Sequence, residues 1–329
     1  MAVYTQVSFD DASTLIERLG IGRITALQSC PGGIENTNYF VDTTTGAYVL
    51  TLFERLTEAE LPFYLQLMKH LARRGIPVPE PQADAAGAIL HALNGKPAAV
   101  VDRLAGEHRL APDDEHAASV GNVLARMHLA GADFTLHQPN LRGLAWWAET
   151  VPVIVPFLGA DQAQMIEDEL AYQRHLSASP AYAVLPRGPI HADLFRDNAM
   201  FDGDRLTGLF DFYFAGVDTY LFDIAVCLND WCIDLESGRL VEQRARAFVT
   251  AYDAVRRLDS AELRLMPALM RAAALRFWIS RLWDLHLPRE AAVLTAHDPT
   301  HFERVLAQRR AAPWHHNRAE PIGAQSTPS

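Results

Sequence analysis

The sequence predicts an α+β protein of two lobes, in which a small antiparallel sheet lobe precedes a larger, mainly helical lobe. Strand patterns separated by turn signals dominate the first third of the chain, and helical periodicity dominates the rest. One polar loop with a predicted hairpin interrupts the helices between His191 and Asp211. We therefore expect lobes at residues 1–103 and 104–310, followed by a mobile tail at 311–329.

The first lobe is expected to combine a sheet with one or two helices. An amphipathic stretch ends at Gly20, and a second stretch with helical spacing ends before Gly75 and three prolines, so both predict helices. Elsewhere apolar runs alternate with turn residues, which is the pattern of strands. The predicted helices lie at residues 10–20 and 61–74, and the predicted strands at 38–41, 48–53, 88–91 and 98–102.

The second lobe is predicted to be helical on both sides of the polar loop. Pro267 should mark a helix start or a kink, because proline removes a backbone donor from a helix interior. Trp314 is a candidate anchor for docking the tail, and residues 104–106 are expected to connect the lobes. The predicted helices lie at residues 117–130, 223–231, 240–255, 261–285 and 301–310.

Composition favours a globular protein and disfavours some partners. With 49% apolar and 21% charged residues, 329 residues can bury the cores of two lobes. The net charge of −11 disfavours nucleic acid, but a nucleotide neutralised by Mg²⁺ is compatible with it. No leader sequence or membrane-length apolar run is evident, so we expect a cytoplasmic protein without a membrane partner. The three cysteines lack metal-site spacing and are predicted to be thiols.

The most informative segment is His191-Ala-Asp193-Leu-Phe-Arg-Asp-Asn198, followed thirteen residues later by Asp211. This spacing is typical of a kinase catalytic loop, in which Asp receives the substrate hydroxyl proton, and Asn and the later Asp hold magnesium. A predicted hairpin with an Asp-Gly turn brings Asn198 and Asp211 to one end. Their sparse oxygen ligands suit Mg²⁺ better than zinc. The loop alone could be a solvated turn, but its conjunction with the hairpin favours phosphoryl transfer.

Two features favour a small-molecule acceptor over a protein acceptor. Ala192 occupies the position at which protein kinases carry Arg, the residue type through which activation-loop phosphates act. No Ala-Pro-Glu follows Asp211, and the chain soon enters the next predicted helix.

Several segments resemble the aminoglycoside phosphotransferase and choline kinase superfamily, which has a two-lobed, protein-kinase-like fold. These segments are the loop His191–Asn198, Asp211, the connector Leu104–Gly106 and the helical segment Leu124–His128. Short sequence segments in both lobes are similar to those of the bacterial homoserine kinases of that superfamily. They lie at residues 48–54, 141–147, 211–215, 222–231 and 276–284.

The resemblance implies that ATP and Mg²⁺ are used to phosphorylate the hydroxyl of L-homoserine, giving O-phospho-L-homoserine in threonine biosynthesis. A kinase for choline, methylthioribose or an aminoglycoside is the nearest alternative. A nucleotide-binding protein without catalysis is a second alternative, suggested by Thr51, which stands where kinases carry a lysine on the third strand. A phosphohydrolase is a third, supported only by the acidic residues.

Under this resemblance Asp193 is the base or hydroxyl orienter, and Asn198 and Asp211 hold Mg²⁺. His191 is expected to fix the loop through hydrogen bonds rather than to act as a general base. Asp223 is expected to tie the loop down, with ordinary helix N-capping as its alternative role.

The remaining contacts are also implied by the resemblance. Because Thr51 carries no charge, Arg55 or an additional magnesium ion is hypothesised to balance the phosphates. Arg281 is the expected clamp for the acceptor carboxylate, since guanidinium binds carboxylate in a bidentate fork. The predicted nucleotide contacts are Gly32, Gly33, Asn36, Thr51, Asp102 and Leu104, and the predicted acceptor contacts are Tyr213, Asn229, Asp230, Trp231 and Arg281.

Overall fold

The structure is a computed structural model that describes residues 5–30, 36–287 and 297–317. Its N-terminal part is built on one antiparallel sheet of five strands, flanked by two helices. The strands are Ile24–Ser29 (β1), Asn36–Thr43 (β2), Ala47–Phe53 (β3), His91–Leu93 (β4) and Lys96–Asp102 (β5), and the helices are Phe9–Leu19 (α1) and Leu61–Arg73 (α2). The strand order is β1-β2-β3-β5-β4.

Helix α1 illustrates why the local sequence forms these elements. Ser8 and Asp11 form a reciprocal capping box at its start, and Gly20 ends it in the left-handed conformation with φ of 69°. Its apolar face, including Leu15 and Ile16, packs on the sheet in one buried cluster. The helix predicted at residues 10–20 is thereby confirmed.

The strand predicted at residues 88–91 is wrong in position, because β4 begins only at His91. Asn94 and Gly95 have φ of 50° and 76°, the two left-handed residues of a tight hairpin turn. This turn fixes the register so that Leu93 pairs with Lys96. Ile89 precedes the strand and is buried in a small apolar cluster with Phe53 of β3 and Ala99 of β5, which accounts for the apolar run that resembled a strand.

The C-terminal part is mainly helical, as predicted. Its helices are Asp114–Ala130 (α3), Leu144–Ile154 (α4), Ala160–Ser177 (α5), Pro180–Ala183 (α6), Tyr220–Trp231 (α7), Glu242–Val255 (α8), Ser260–His286 (α9) and Thr300–Ala311 (α10). Its strands form two antiparallel pairs, Arg187–Ile190 (β6) with Gly216–Thr219 (β9), and Ala199–Asp202 (β7) with Arg205–Leu209 (β8). Pro267 lies inside α9 rather than at its start.

Helix α9 is the central element of this part. It packs against α4, α5, α7 and α10, and α3 packs against α8. Trp314, which follows α10, is buried in the same core, while residues 318–329 of the predicted tail lie outside the described residues. Within the described ranges, no helix is long and apolar enough to cross a membrane.

The connector after β5 is attached to the β7–β8 hairpin. Glu107 and Phe201 exchange two backbone hydrogen bonds of 2.8 and 2.9 Å. Gly106 has φ of 109°, and a Cβ there would clash with the carbonyl of Phe201, so only glycine fits. The hairpin also reaches the N-terminal part through the bond from Leu209 N to Pro77 O. The predicted loop and hairpin therefore lie where the two parts of the chain meet.

Candidate active site

The polar loop after β6 is held by one buried carboxylate. Asp223, in the first turn of α7, is fully buried and accepts the backbone N–H groups of His191 and Ala192, each at 2.8 Å. Thr219 caps α7, so N-capping is not the role of Asp223. Ala192 has φ of 63°, an uncommon conformation for a residue with a side chain and one that tends to occur at functional sites. The carboxylate thus fixes the backbone immediately before Asp193.

Asp223 is in turn oriented by His128 of α3, whose role the sequence did not predict. His128 Nε2 lies 3.0 Å from the carboxylate, and its Nδ1 lies 2.6 Å from the hydroxyl of Tyr252. Burial lowers the pKa of His128, which favours a neutral ring that donates from Nε2 and accepts at Nδ1. Burial opposes ionisation of Asp223, but the hydrogen bonds, that from His128 foremost, leave the pKa of Asp223 lowered.

His191 has the contacts of a structural residue. Its Nε2 lies 2.9 Å from the carbonyl of Phe210, its Nδ1 accepts the N–H of Asp193 at 3.3 Å, and its ring packs on Phe212. The residue is fully buried, and burial lowers the pKa of His191. A neutral imidazole therefore connects the loop to the backbone next to Asp211.

The hairpin brings Asn198 and Asp211 to the same end. Phe210 N donates to Asn198 O at 3.1 Å, so Asp211 begins beside the residue that precedes β7. Asn198 Nδ2 donates to Asp193 O at 2.8 Å, and Asp211 has φ of 65°. Within the described residues, no cluster of three or more His, Cys, Asp and Glu side chains could hold a metal. One amide oxygen and one carboxylate nevertheless fit Mg²⁺, which fills its shell with water and phosphate oxygens.

Asp193 lies next to Asn198, and 16% of its side chain is exposed. Burial raises the pKa of Asp193 to about 8; Arg276 opposes this, and the charges of Asp211, Asp197 and Asp230 add to it. Positive charge brought to the site would favour the ionised carboxylate. Arg276 already supplies part of it, with Nη1 3.7 Å from Asp193 Oδ1.

Two of the predicted acceptor contacts are instead structural. Trp231 is fully buried and donates from Nε1 to Leu194 O at 3.0 Å, which supports the loop from below. Asn229 is also fully buried; it donates to Met270 O at 2.7 Å and accepts from Arg309 Nε at 2.9 Å. Because both side chains are fully buried and their polar atoms are engaged in the core, neither can contact an acceptor, and these two predictions are wrong.

A third candidate, Asp230, binds Arg196 of the loop. Its carboxylate accepts Arg196 N at 2.8 Å and Nε at 3.1 Å, and its backbone carbonyl accepts Nη2. Asp230, like Trp231, therefore holds the loop from α7. Both of these carboxylate contacts are on Oδ2 and 11% of the side chain is exposed, so a contact of Asp230 with the acceptor stays a prediction.

The other two acceptor candidates contact different parts of the chain. The ring of Tyr213 contacts those of Phe53 and Tyr64, and its hydroxyl is a hydrogen-bond partner of Thr51 in β3. Arg281 donates from Nη1 to Asp298 O at 2.9 Å, and its guanidinium lies 4.5 Å from the ring centroid of Phe302. The guanidinium in contact with Asp193 is that of Arg276, which precedes Arg281 by more than one turn of α9.

The predicted nucleotide contacts are spread along the sheet and connector. Thr51 donates to Asn38 Oδ1 at 2.7 Å across the β2–β3 pair, and Asn36 pairs with Phe53. Asp102 accepts from Gln82 at 2.9 Å, and burial raises the pKa of Asp102. Leu104 packs so closely on Gly208 that a Cβ there would clash with it. Gly32 and Gly33 lie outside the described residues.

The two-part fold, with a fixed polar loop beside a hairpin, defines a kinase-type phosphotransferase. The model of the phosphotransferase enzyme family matches residues 26–258. A homoserine kinase of Polaromonas naphthalenivorans (strain CJ2) is 64% identical over 314 residues, covering 95% of this chain and 99% of that protein. The chain therefore belongs to the phosphotransferase enzyme family, among its homoserine kinases, and the resemblance found in the sequence is confirmed.

Solved structures agree on the fold. An amicoumacin kinase in complex with AMP-PNP and Ca²⁺ matches with a TM-score of 0.67 at 17% identity, covering 92% of each chain. A choline kinase from Cryptosporidium parvum Iowa II matches with a TM-score of 0.60 at 12% identity, covering 88% of this chain and 89% of the other. The predicted kinase-like architecture is thereby confirmed.

Proposed function

We propose that this protein transfers the terminal phosphoryl group of ATP to the hydroxyl of L-homoserine, giving O-phospho-L-homoserine for threonine biosynthesis in the cytoplasm. The observation that carries the proposal is the fixed Asp193, which stands beside Asn198 and Asp211 in a chain 64% identical to a homoserine kinase. Phosphoryl transfer depends mainly on positioning and charge neutralisation, and this arrangement supports both.

Each residue has a defined part in the proposal. Asp193 orients the attacking hydroxyl and accepts its proton, while His191 and Asp223 keep the loop backbone in place. Asn198 and Asp211 would hold Mg²⁺, which supplies charge neutralisation at the phosphate oxygens when it is bound. The nucleotide is proposed to lie along the sheet and the connector, against Gly32, Gly33, Asn36, Thr51, Asp102 and Leu104.

An acceptor panel tests the proposal. ADP release would be measured with Mg²⁺–ATP and, in turn, L-homoserine, choline, methylthioribose, an aminoglycoside or no acceptor. We expect kcat/KM for L-homoserine to exceed that for every other acceptor by at least about a hundredfold, because a site built for polar groups rejects ligands that lack them. Faster turnover of another acceptor would replace homoserine as the substrate, and phosphate release without acceptor would indicate a hydrolase. ATP binding without product would indicate a non-catalytic protein.

A further inference from the structure

Arg276 is a buried cation whose hydrogen-bonding capacity is only partly used. It lies in the middle of α9 with 3% of its surface exposed, and its Nη1 lies 3.7 Å from Asp193 Oδ1. Nε and Nη2 are fully buried, and neither has a hydrogen-bond partner among the described residues. Buried donors without partners are destabilising, and a charged group makes this worse. The structure therefore holds an unsatisfied pair of donors next to the predicted base.

The two unsatisfied donors lie on the same edge of the guanidinium. Nε and Nη2 form the side-on edge that binds both oxygens of a carboxylate at once. Arg271, on the same helix, uses this edge for Glu169, with contacts of 3.1 and 3.1 Å from Nε and 2.6 Å from Nη2. The chain thus shows what fills such an edge when a carboxylate is available within the fold.

The surroundings of Arg276 also favour an anion. Its guanidinium lies 5.1 Å from the ring centroid of Phe214, and the guanidinium of Arg142 lies 5.9 Å from the same centroid. Two cations therefore approach one aromatic ring beside the catalytic loop, and Asp193 forms an ion pair with Arg276. Burial lowers the pKa of Arg276 to about 10 in spite of Asp193, as expected of an incompletely compensated charge.

We propose that the Nε–Nη2 edge of Arg276 binds the carboxylate of the acceptor, while Nη1 remains against Asp193. This inference rests on the proposed function, since it assigns a role toward an acceptor that carries both a hydroxyl and a carboxylate. One guanidinium then binds the acceptor and fixes the residue that receives its proton. An acceptor without a carboxylate leaves the buried edge unsatisfied, so Arg276 determines specificity for hydroxy amino acids. Arg281, which was expected to be the clamp, donates from Nη1 to the backbone carbonyl of Asp298, and no ion pair joins it to Asp193 among the described residues.

The test compares L-homoserine with L-homoserinol, in which a CH₂OH group replaces the carboxylate. ADP release would be measured for the wild type, Arg276→Gln, Arg276→Lys and the matched control Arg271→Gln, which removes a carboxylate-binding Arg from the same helix outside the site. The wild type should prefer L-homoserine by roughly 30- to 5,000-fold in kcat/KM, the range expected for losing one partner of a buried charge pair.

Arg276→Gln should reduce this preference to within about threefold, and Arg276→Lys should give an intermediate value because it keeps the charge but loses the fork. KM for ATP should be unchanged in both, and Arg271→Gln should keep the wild-type preference. The ratio of the two acceptors cancels any common loss of turnover caused by the altered environment of Asp193.

The outcomes separate this inference from the proposed function. If the wild type does not phosphorylate L-homoserine at all, the proposed function fails. If it does, but uses L-homoserinol equally well, the assignment of a carboxylate site is overturned even when the Arg276 variants do not fold. A preference that survives unchanged in folded Arg276→Gln would equally overturn it.

Discussion

Replacing Asp223 with Asn tests whether this buried carboxylate fixes the catalytic loop. The two backbone donors, His191 N and Ala192 N, are bound to different oxygens of Asp223, Oδ2 and Oδ1. An Asn side chain offers one oxygen and one NH₂ group, so in either orientation one loop N–H faces another donor. The bond from His128 Nε2 also goes to Oδ2, and it is lost if the NH₂ group takes that place.

The expected loss of stability follows from these contacts. One buried donor left unsatisfied costs about 1–3 kcal/mol, and the remaining bonds lose the additional strength that a charged acceptor gives them. We expect Asp223→Asn to lower the free energy of unfolding by about 2–4 kcal/mol, a large part of the roughly 5–15 kcal/mol typical of folded domains.

Equilibrium urea unfolding followed by tryptophan fluorescence would measure this loss. Glu167→Gln makes the same chemical change at an exposed position on α5, and it should alter the free energy of unfolding by no more than about 0.5 kcal/mol. If the two variants are equally stable, the hydrogen bonds of Asp223 do not hold the loop and our account of it is refuted.

Three further variants test other parts of the account. The pKa of His128 is lowered from 6.5 in the folded protein, so below that pH the unfolded chain binds a proton at this residue while the folded chain does not. Between pH 7 and 5, the free energy of unfolding of His128→Gln should therefore fall less than that of the wild type. Equal decreases in the two proteins would contradict this. In urea unfolding, Gly106→Ala should lower the free energy of unfolding by more than about 2 kcal/mol. Gly87→Ala should lower it by about 1–2 kcal/mol, because Gly87 has φ of 84° but open space around it. Equal decreases would contradict the close contact between Gly106 and the carbonyl of Phe201. Asp193→Asn should lower kcat by at least about a thousandfold with little change in nucleotide affinity. Asp211→Asn should in addition weaken the binding of Mg²⁺–ATP, measured by calorimetry. Equal, mild effects of the two substitutions would contradict the proposed roles.

The loop and hairpin could be predicted because their signals are local. The spacing from His191 to Asn198 and the turn at Asp202–Gly203–Asp204 lie within a few residues of one another. The turn sets the first pairs of the hairpin, and an irregularity between Met200 and Phe201 then shifts the register. Similarly, caps and apolar spacing were sufficient for α1 and α2. The pairing of β6 with β9 has no such signal, because 25 residues separate the two short strands and no hairpin turn joins them.

The contact between Arg276 and Asp193 could not be predicted because it depends on which face of a buried helix meets the loop. Helix α9 is buried around most of its circumference, so its sequence shows no polar face that would point to the site. Arg276 and Arg281 are therefore equivalent as cations in the sequence, and only packing places Arg276 beside Asp193. Asn229 and Trp231 failed for the same reason, since α7 is buried along its whole length.

The central claim is that Asp193 promotes phosphorylation of the homoserine hydroxyl, and direct identification of the product tests it. Phosphorus NMR of a reaction with Mg²⁺–ATP and L-homoserine should show a phosphate monoester coupled to the methylene next to the side-chain oxygen, formed together with ADP. Asp193→Asn at the same concentration should form essentially none. Inorganic phosphate formed together with ADP in place of the monoester, or equal product from Asp193→Asn, would contradict the account.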